Sequence, residues 1–210
     1  PTHHAMLSDV CDQANPPGAA LHAGDIYRVE YFPYFRGCLI GPILGVANGA
    51  LASYVEQTQS RIGKVGGESV TEQVPVQVKL SESAAEIRAA ELIGRHLVDT
   101  LADRACTGVL VLPGEDRVSQ GRDLAFMARL GVRAIDRLAG MMGASGLSQN
   151  NPVQRFGNDI RAMASHGALQ WEQSLSPYGK WVLGVPSGDP EIDRSKGDPE
   201  SEDFFGRDIR

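Results

Sequence analysis

The chain has 210 residues, of which 42% are hydrophobic and 22% charged. That composition belongs to a globular protein able to bury one good core and excludes a disordered or collagen-like chain. The net charge of −6, with no Lys/Arg cluster interleaved with aromatics, excludes a nucleic-acid binder.

The three cysteines, Cys11, Cys38 and Cys106, have neither metal nor redox spacing and read as reduced thiols. With no signal-peptide pattern in the first thirty residues, a cytoplasmic protein is expected. The chain opens at Pro1 and reads as a piece of something longer. Residues 1–33 show little periodicity, apart from a short extended piece near 26–32, and form an irregular linker. His3, His4 and His22 are scattered through it with no cysteine or carboxylate completing a ligand spacing, so no metal is expected.

The first helix is predicted over residues 34–61. Ile40, Leu44, Ala47, Leu51 and Val55 draw one apolar stripe, and Leu39, Ile43, Val46, Ala50 and Tyr54 draw the next. Pro42 kinks it or marks its effective start. Gly37, Gly41, Gly45 and Gly49, each four apart, make a packing groove. Arg36, Asn48 and the polar run from Glu56 argue against a membrane span. Residues 62–72 read as a loop, and a second helix follows over 74–106 on Ile87, Ala90, Ile93, Leu97 and Leu101.

Residues 107–119 read as another loop around Gly108, Pro113 and Gly114. The third helix is predicted over 121–142, with Leu124, Met127, Leu130, Ala134, Leu138 and Met141 at helical spacing. It ends in the turn Gly143-Ala144-Ser145-Gly146, which lacks the Gly-x-Gly-x-x-Gly and preceding strand of a dinucleotide site. Asn151-Pro152 then supplies an N-cap and first-turn proline for a fourth helix over 152–175. Phe156, Ile160, Met163 and Gly167 form its stripe, and Asp159, Ala162 and His166 the neighbouring line. A lone histidine there reads first as a half-buried residue bonded to a carbonyl. The expected fold is therefore all-α, an up-and-down four-helix bundle over residues 34–180, followed by a tail over 181–210. From Ser187 that tail carries eight carboxylates against four cations, with Phe204-Phe205 as its one anchor, so loose order is expected.

The order Arg155, Asp159, Ile160, Arg161, His166, Trp171 and Tyr178-Gly179, preceded by the 143–146 turn, resembles the last bundle helix of flavin-dependent monooxygenases that share the acyl-CoA dehydrogenase fold. The resemblance is to oxygenase components of the p-hydroxyphenylacetate hydroxylase, steroid-ring and dibenzothiophene monooxygenase kinds. The resemblance runs to about Lys180 and corresponds to the C-terminal portion of a chain roughly twice as long. It implies that His166 points at reduced flavin and substrate, as the catalytic residue. It also implies that Arg61, in Arg61-Ile62-Gly63, and Gln77 contact flavin, commonly that of a neighbouring subunit, and that Gly143 and Ser145 approach flavin from the turn. Without the family pattern, Arg61 reads as a helix-end cation.

What the resemblance implies about activity is a two-component enzyme. A separate flavin reductase supplies reduced FMN or FAD, a flavin hydroperoxide forms with O2, and one oxygen atom passes to a small phenolic substrate. A homotetramer is the family's assembly. Bundles can also carry di-iron, but no pair of Glu-x-x-His motifs is present. An acyl-CoA dehydrogenase proper is the nearer rival, weakened because Tyr178-Gly179 has no glutamate between its two residues, although Glu172 is close. A second alternative is a non-catalytic oligomerisation and flavin-contact domain.

Overall fold

The computed structural model describes residues 21–28, 31–62, 69–107, 114–148, 150–189 and 192–193. Among the described residues the α-helices in order are α1 (Tyr31–Gly37), α2 (Ile40–Gln59), α3 (Val74–Thr107), α4 (Gly114–Met141), α5 (Pro152–Ala164) and α6 (Trp171–Val182). Among the described residues there is no strand, only an isolated antiparallel bridge between Ile62 and Ser69. The helices group into two compact units. One comprises Pro1–Cys38, Arg95–Arg122 and Glu172–Arg210, the other Leu39–Gly94 and Asp123–Trp171.

The second unit contains the expected four-helix bundle, built from α2, the first part of α3, the later part of α4, and α5. Its α2 buries Ile40, Ile43, Ala47, Ala50, Tyr54 and Thr58, a single line drawn from both predicted stripes. Tyr54 packs with Leu138, Met142 and Val153, while Ala47 packs with Ile87 and Ala134. By length and composition Tyr31–Gln59 is apolar enough to cross a membrane. Within this unit the buried line of α2 faces a helix-on-helix core. The glycine row divides in two. A Cβ on Gly49 would meet the Phe156 ring at 2.9 Å, so there the row is the groove that admits α5, whereas Gly41 and Gly45 have nothing within 4 Å.

A polar network crosses the same unit between α3 and α4. Arg137 donates to Glu86 at 2.6 Å, to Glu82 at 3.0 Å and to the fully buried Ser83 hydroxyl at 3.2 Å. The Glu86 hydrogen bond in particular holds the guanidinium above its ordinary range. Pairing of this kind is what permits a partly buried charge.

In the first unit α1 lies ahead of the α2 start, and Val118 on α4 packs with Trp181 on α6 and with Ile192. The Gln120 side chain donates to the Pro33 carbonyl at 3.1 Å. Ile192 is a buried anchor at the start of the tail that the sequence reading passed over. The Asp193 carboxylate accepts from the backbone N–H and hydroxyl of Ser187, each at 2.8 Å, and from Gly188 N–H at 3.2 Å. Phe204 and Phe205 lie outside the described residues.

Three boundaries differ from expectation. The predicted first helix is two, with the break at Cys38-Leu39. Pro42 has no N–H to give the Cys38 carbonyl, so the new helix starts at Ile40 with proline in its first turn. Helix α4 starts at Gly114, well before residue 121, and carries Glu115 and Asp116 in its first turn, where the helix dipole favours acids. The predicted helix over 152–175 is likewise two. Ser165 closes α5 with its hydroxyl on the Ala162 carbonyl at 2.7 Å, and the chain turns at His166.

Candidate functional site

The C-terminal ends of α2 and α4 meet the starts of α3 and α5 at one end of the bundle unit. Arg61, two residues past α2, donates from Nη1 to the Met141 carbonyl at 3.2 Å and from Nη2 to the Met142 carbonyl at 3.1 Å. These carbonyls close α4, whose last turn would otherwise leave acceptors without partners. Arg61 thus caps a helix end, but that of α4, about eighty residues further along the chain, and not that of its own helix.

Gly143 follows directly and adopts φ +61°, the left-handed conformation that turns the chain out of α4. A Cβ built on it would lie 3.9 Å from Arg61 Nη2, so these two predicted residues converge. The 3-10 turn Gly143–Leu147 folds back on the helix, and Gly146 is needed there because a Cβ would sit 2.8 Å from the Ala139 carbonyl. Ser145 belongs to this turn, but its side chain lies outside the described residues, as does Gly63.

Gln77 stands in the first turns of α3, exposed, and its Nε2 donates to the Thr71 carbonyl at 2.9 Å. The strand-like bridge brings this segment to Arg61, since Val70 N–H donates to the Arg61 carbonyl at 3.1 Å. Asn151 caps α5 at Val153 N–H and donates to Gln57 Oε1 at 3.2 Å. Close by in sequence to Arg61, the Gln57 Nε2 and Thr58 Oγ1 atoms are buried without a hydrogen-bond partner. Orphaned buried polar atoms in the last turn of α2, which leads to Arg61, suit a polar ligand at this end of the bundle.

His166 is elsewhere. It lies past the C-terminus of α5, whose 13 residues span about 20 Å, so the structure does not bring it together with Arg61 and Gly143. Nor does it sit on a helix with Asp159. It is exposed in the turn and caps the 3-10 segment Gly167–Leu169, its Nδ1 accepting from Ala168 N–H at 3.2 Å. An acceptor Nδ1 places the proton of the neutral imidazole on Nε2, leaving that atom as the donor. Gly167 is exposed and outside α5, so it does not extend the apolar stripe. Beyond the turn, Arg129 lies over the Trp171 ring at 4.7 Å, with Phe126 at 6.3 Å from the same ring. This cation–aromatic group was missed. The spacing of Phe126 and Arg129 on one face of α4 is the signal that marks it.

The sequence profile of the acyl-CoA dehydrogenase C-terminal domain matches residues 38–171. The chain is 28% identical over 195 residues to the oxygenase subunit HsaA of a flavin-dependent monooxygenase from Mycobacterium tuberculosis, covering 91% of this chain and 49% of that protein. It is 27% identical over 197 residues to the oxygenase component of an FADH(2)-dependent resorcinol hydroxylase from Rhizobium sp., covering 90% and 48%. Among solved structures, 3-HSA hydroxylase from Rhodococcus sp. RHA1 superposes with a TM-score of 0.71 at 27% identity, covering 84% of this chain and 46% of that one. XiaF from Streptomyces sp. shares the fold, with a TM-score of 0.76 at 22% identity over 85% of this chain and 45% of that one. The chain spans about half the length of the curated relatives it matches.

Proposed function

The chain belongs to the acyl-CoA dehydrogenase C-terminal domain family, and from that membership we propose that it is the flavin-facing bundle of a reduced-flavin-dependent monooxygenase that hydroxylates a small phenolic substrate. The observation that carries the reading is the arginine anchored on the end of α4 beside the positive-φ turn at Gly143. The relatives, an oxygenase subunit of a flavin-dependent monooxygenase and that of a resorcinol hydroxylase, point the same way.

Reduced FMN or FAD, delivered by a separate flavin reductase, supplies the two electrons that let one atom of O2 enter the aromatic ring while the other leaves as water. Arg61 is held in place by two carbonyls and keeps further N–H groups from its five to hold a phosphate oxygen. The N–H groups of the Gly143–Leu147 turn, with Gln77, whose Nε2 here donates to the Thr71 carbonyl, and with Ser145 as the family resemblance implies, would supply the remaining polar contacts to flavin. His166 Nε2–H would donate a hydrogen bond to the substrate oxygen or to the flavin, orienting the substrate and stabilising negative charge on that oxygen. A span of about 20 Å along α5 is accounted for if Arg61 and His166 serve different flavins, one of them bound to another copy of the chain. A homotetramer would have that property. Reductase and oxygenase share the cytoplasm, because reduced flavin passing between them is oxidised by O2 in transit.

The test is turnover of the chain with reduced FMN or FAD, a phenol and isotope-labelled O2. One labelled atom in the product, lost in His166→Ala, is expected. Flavin binding with no labelled product would overturn the enzyme reading in favour of a non-catalytic flavin-contact and oligomerisation domain.

A further inference from the structure

Two adjacent thioethers, Met141 and Met142, stand where α4 ends, and a side-chain donor meets each. The Tyr54 hydroxyl donates to Met141 Sδ at 3.6 Å, and Asn151 Nδ2 donates to Met142 Sδ at 3.8 Å. Met142 is 3% exposed, whereas Met141 is half-buried and open to a small solute. Tyr54 is fully buried, and among the described residues the Met141 sulfur is the one acceptor its hydroxyl has. A thioether is a weak acceptor. The phenol O–H, taken out of water by folding, is therefore only poorly compensated.

An oxygen atom added to that sulfur would change the balance. A sulfoxide oxygen carries partial negative charge and accepts strongly. The 3.6 Å separation lets such an oxygen sit beside the line from sulfur to phenol and accept from Tyr54 at an ordinary O–H···O length, about 2.7 Å. The second lone pair of the thioether stays free to attack a peroxide. As it attacks, charge develops on the oxygen being transferred, and the bond from Tyr54 strengthens with it. Met163 on α5 supplies the contrast, for it too is half-buried, yet its sulfur accepts no hydrogen bond among the described residues.

We propose that Met141 is a site of methionine sulfoxide formation by hydrogen peroxide, promoted by the Tyr54 hydroxyl. The thioether gives up two electrons, an S–O bond forms as the O–O bond breaks, and the other peroxide oxygen leaves with both protons as water. Sulfoxide formation is reversible by reductases. Here it falls on the residue whose carbonyl holds Arg61 Nη1 at 3.2 Å. Neither the site nor the step depends on the oxygenase reading, because peroxide acts as a free reagent.

The folded chain, without flavin, and the same chain in urea are treated with hydrogen peroxide, and sulfoxide at each methionine is followed by peptide mass spectrometry. Dividing the folded rate by the urea rate removes the intrinsic reactivity of each methionine. That ratio is expected to be about three- to tenfold higher for Met141 than for Met163, the scale of one hydrogen bond. Tyr54→Phe keeps the ring and removes the donor. It is expected to bring the Met141 ratio down by the same factor and to leave the Met163 ratio unchanged, which also shows that the variant is folded. A Met141 ratio equal to or below that of Met163 in the unaltered chain would overturn the site, whatever the variant does. A Met141 ratio unchanged by Tyr54→Phe would overturn the role of the hydroxyl.

Discussion

Arg61 and Met142 are joined across the end of the bundle unit by a hydrogen bond of 3.1 Å from Nη2 to the carbonyl, with a parallel bond from Nη1 to Met141. The same guanidinium is thus a structural cap before it is a ligand contact. Arg61→Ala is expected to lower unfolding stability by about 2 kcal/mol, the scale of hydrogen bonds to a charged group. Arg61→Lys recovers less than half of that loss, because one ammonium cannot span two carbonyls in a fork. Urea unfolding of the three proteins measures both, and equal stability of all three would remove the cap from the account.

The glycines of the bundle unit separate into packing and open positions, and alanine substitution tells them apart. At Gly45, where nothing lies within 4 Å, alanine is expected to stabilise by about 0.5–1 kcal/mol through helix propensity alone. At Gly94 a Cβ would lie 2.8 Å from Ile40 Cγ2, 3.1 Å from Leu44 Cδ1 and 3.2 Å from Met127 Sδ. There alanine is expected to destabilise by about 1–3 kcal/mol through overpacking. Thermal unfolding of the two single variants gives the comparison, and shifts of the same sign would contradict the packing described.

Glu115, in the first turn of α4, has its carboxyl raised above the usual carboxylate range by burial and by the neighbouring Asp116 charge, with Arg122 opposing. A raised carboxyl favours the protonated form in the folded state. Its ionisation therefore costs stability as pH rises from the unfolded-state value through the folded-state one, and the cost persists above that window. Glu115→Gln is expected to raise Tm at pH 7 and to leave it unchanged near pH 3, where the carboxyl is protonated in both states. A larger gain at pH 3 than at pH 7 would reverse the assigned sign.

Much of the fold was legible because apolar spacing carries it. The α3 bounds and the Asn151-Pro152 start of α5 follow from local signals, and Pro42 marked where α2 begins. The breaks were harder to read. Nothing in the stripe of Phe156, Ile160 and Met163 reports that Ser165 and His166 will bond to nearby backbone and stop the helix. The early start of α4 was hidden by Gly114, read as loop punctuation, although the acids after it are a helix-start signal. At the candidate site, residue types were legible and partners were not. That Arg61 would meet Met141 and Met142 is a tertiary fact, and that Ile192 anchors the start of the tail depends on Val118 and Trp181.

Anaerobic titration of the purified chain with reduced FMN and reduced FAD tests the central claim most directly. The account predicts saturable binding of one or both, weakened at least about tenfold in Arg61→Ala, the equivalent of 1.4 kcal/mol, and retained in His166→Ala. Absence of binding by the folded chain, or binding that Arg61→Ala leaves unchanged, would contradict it.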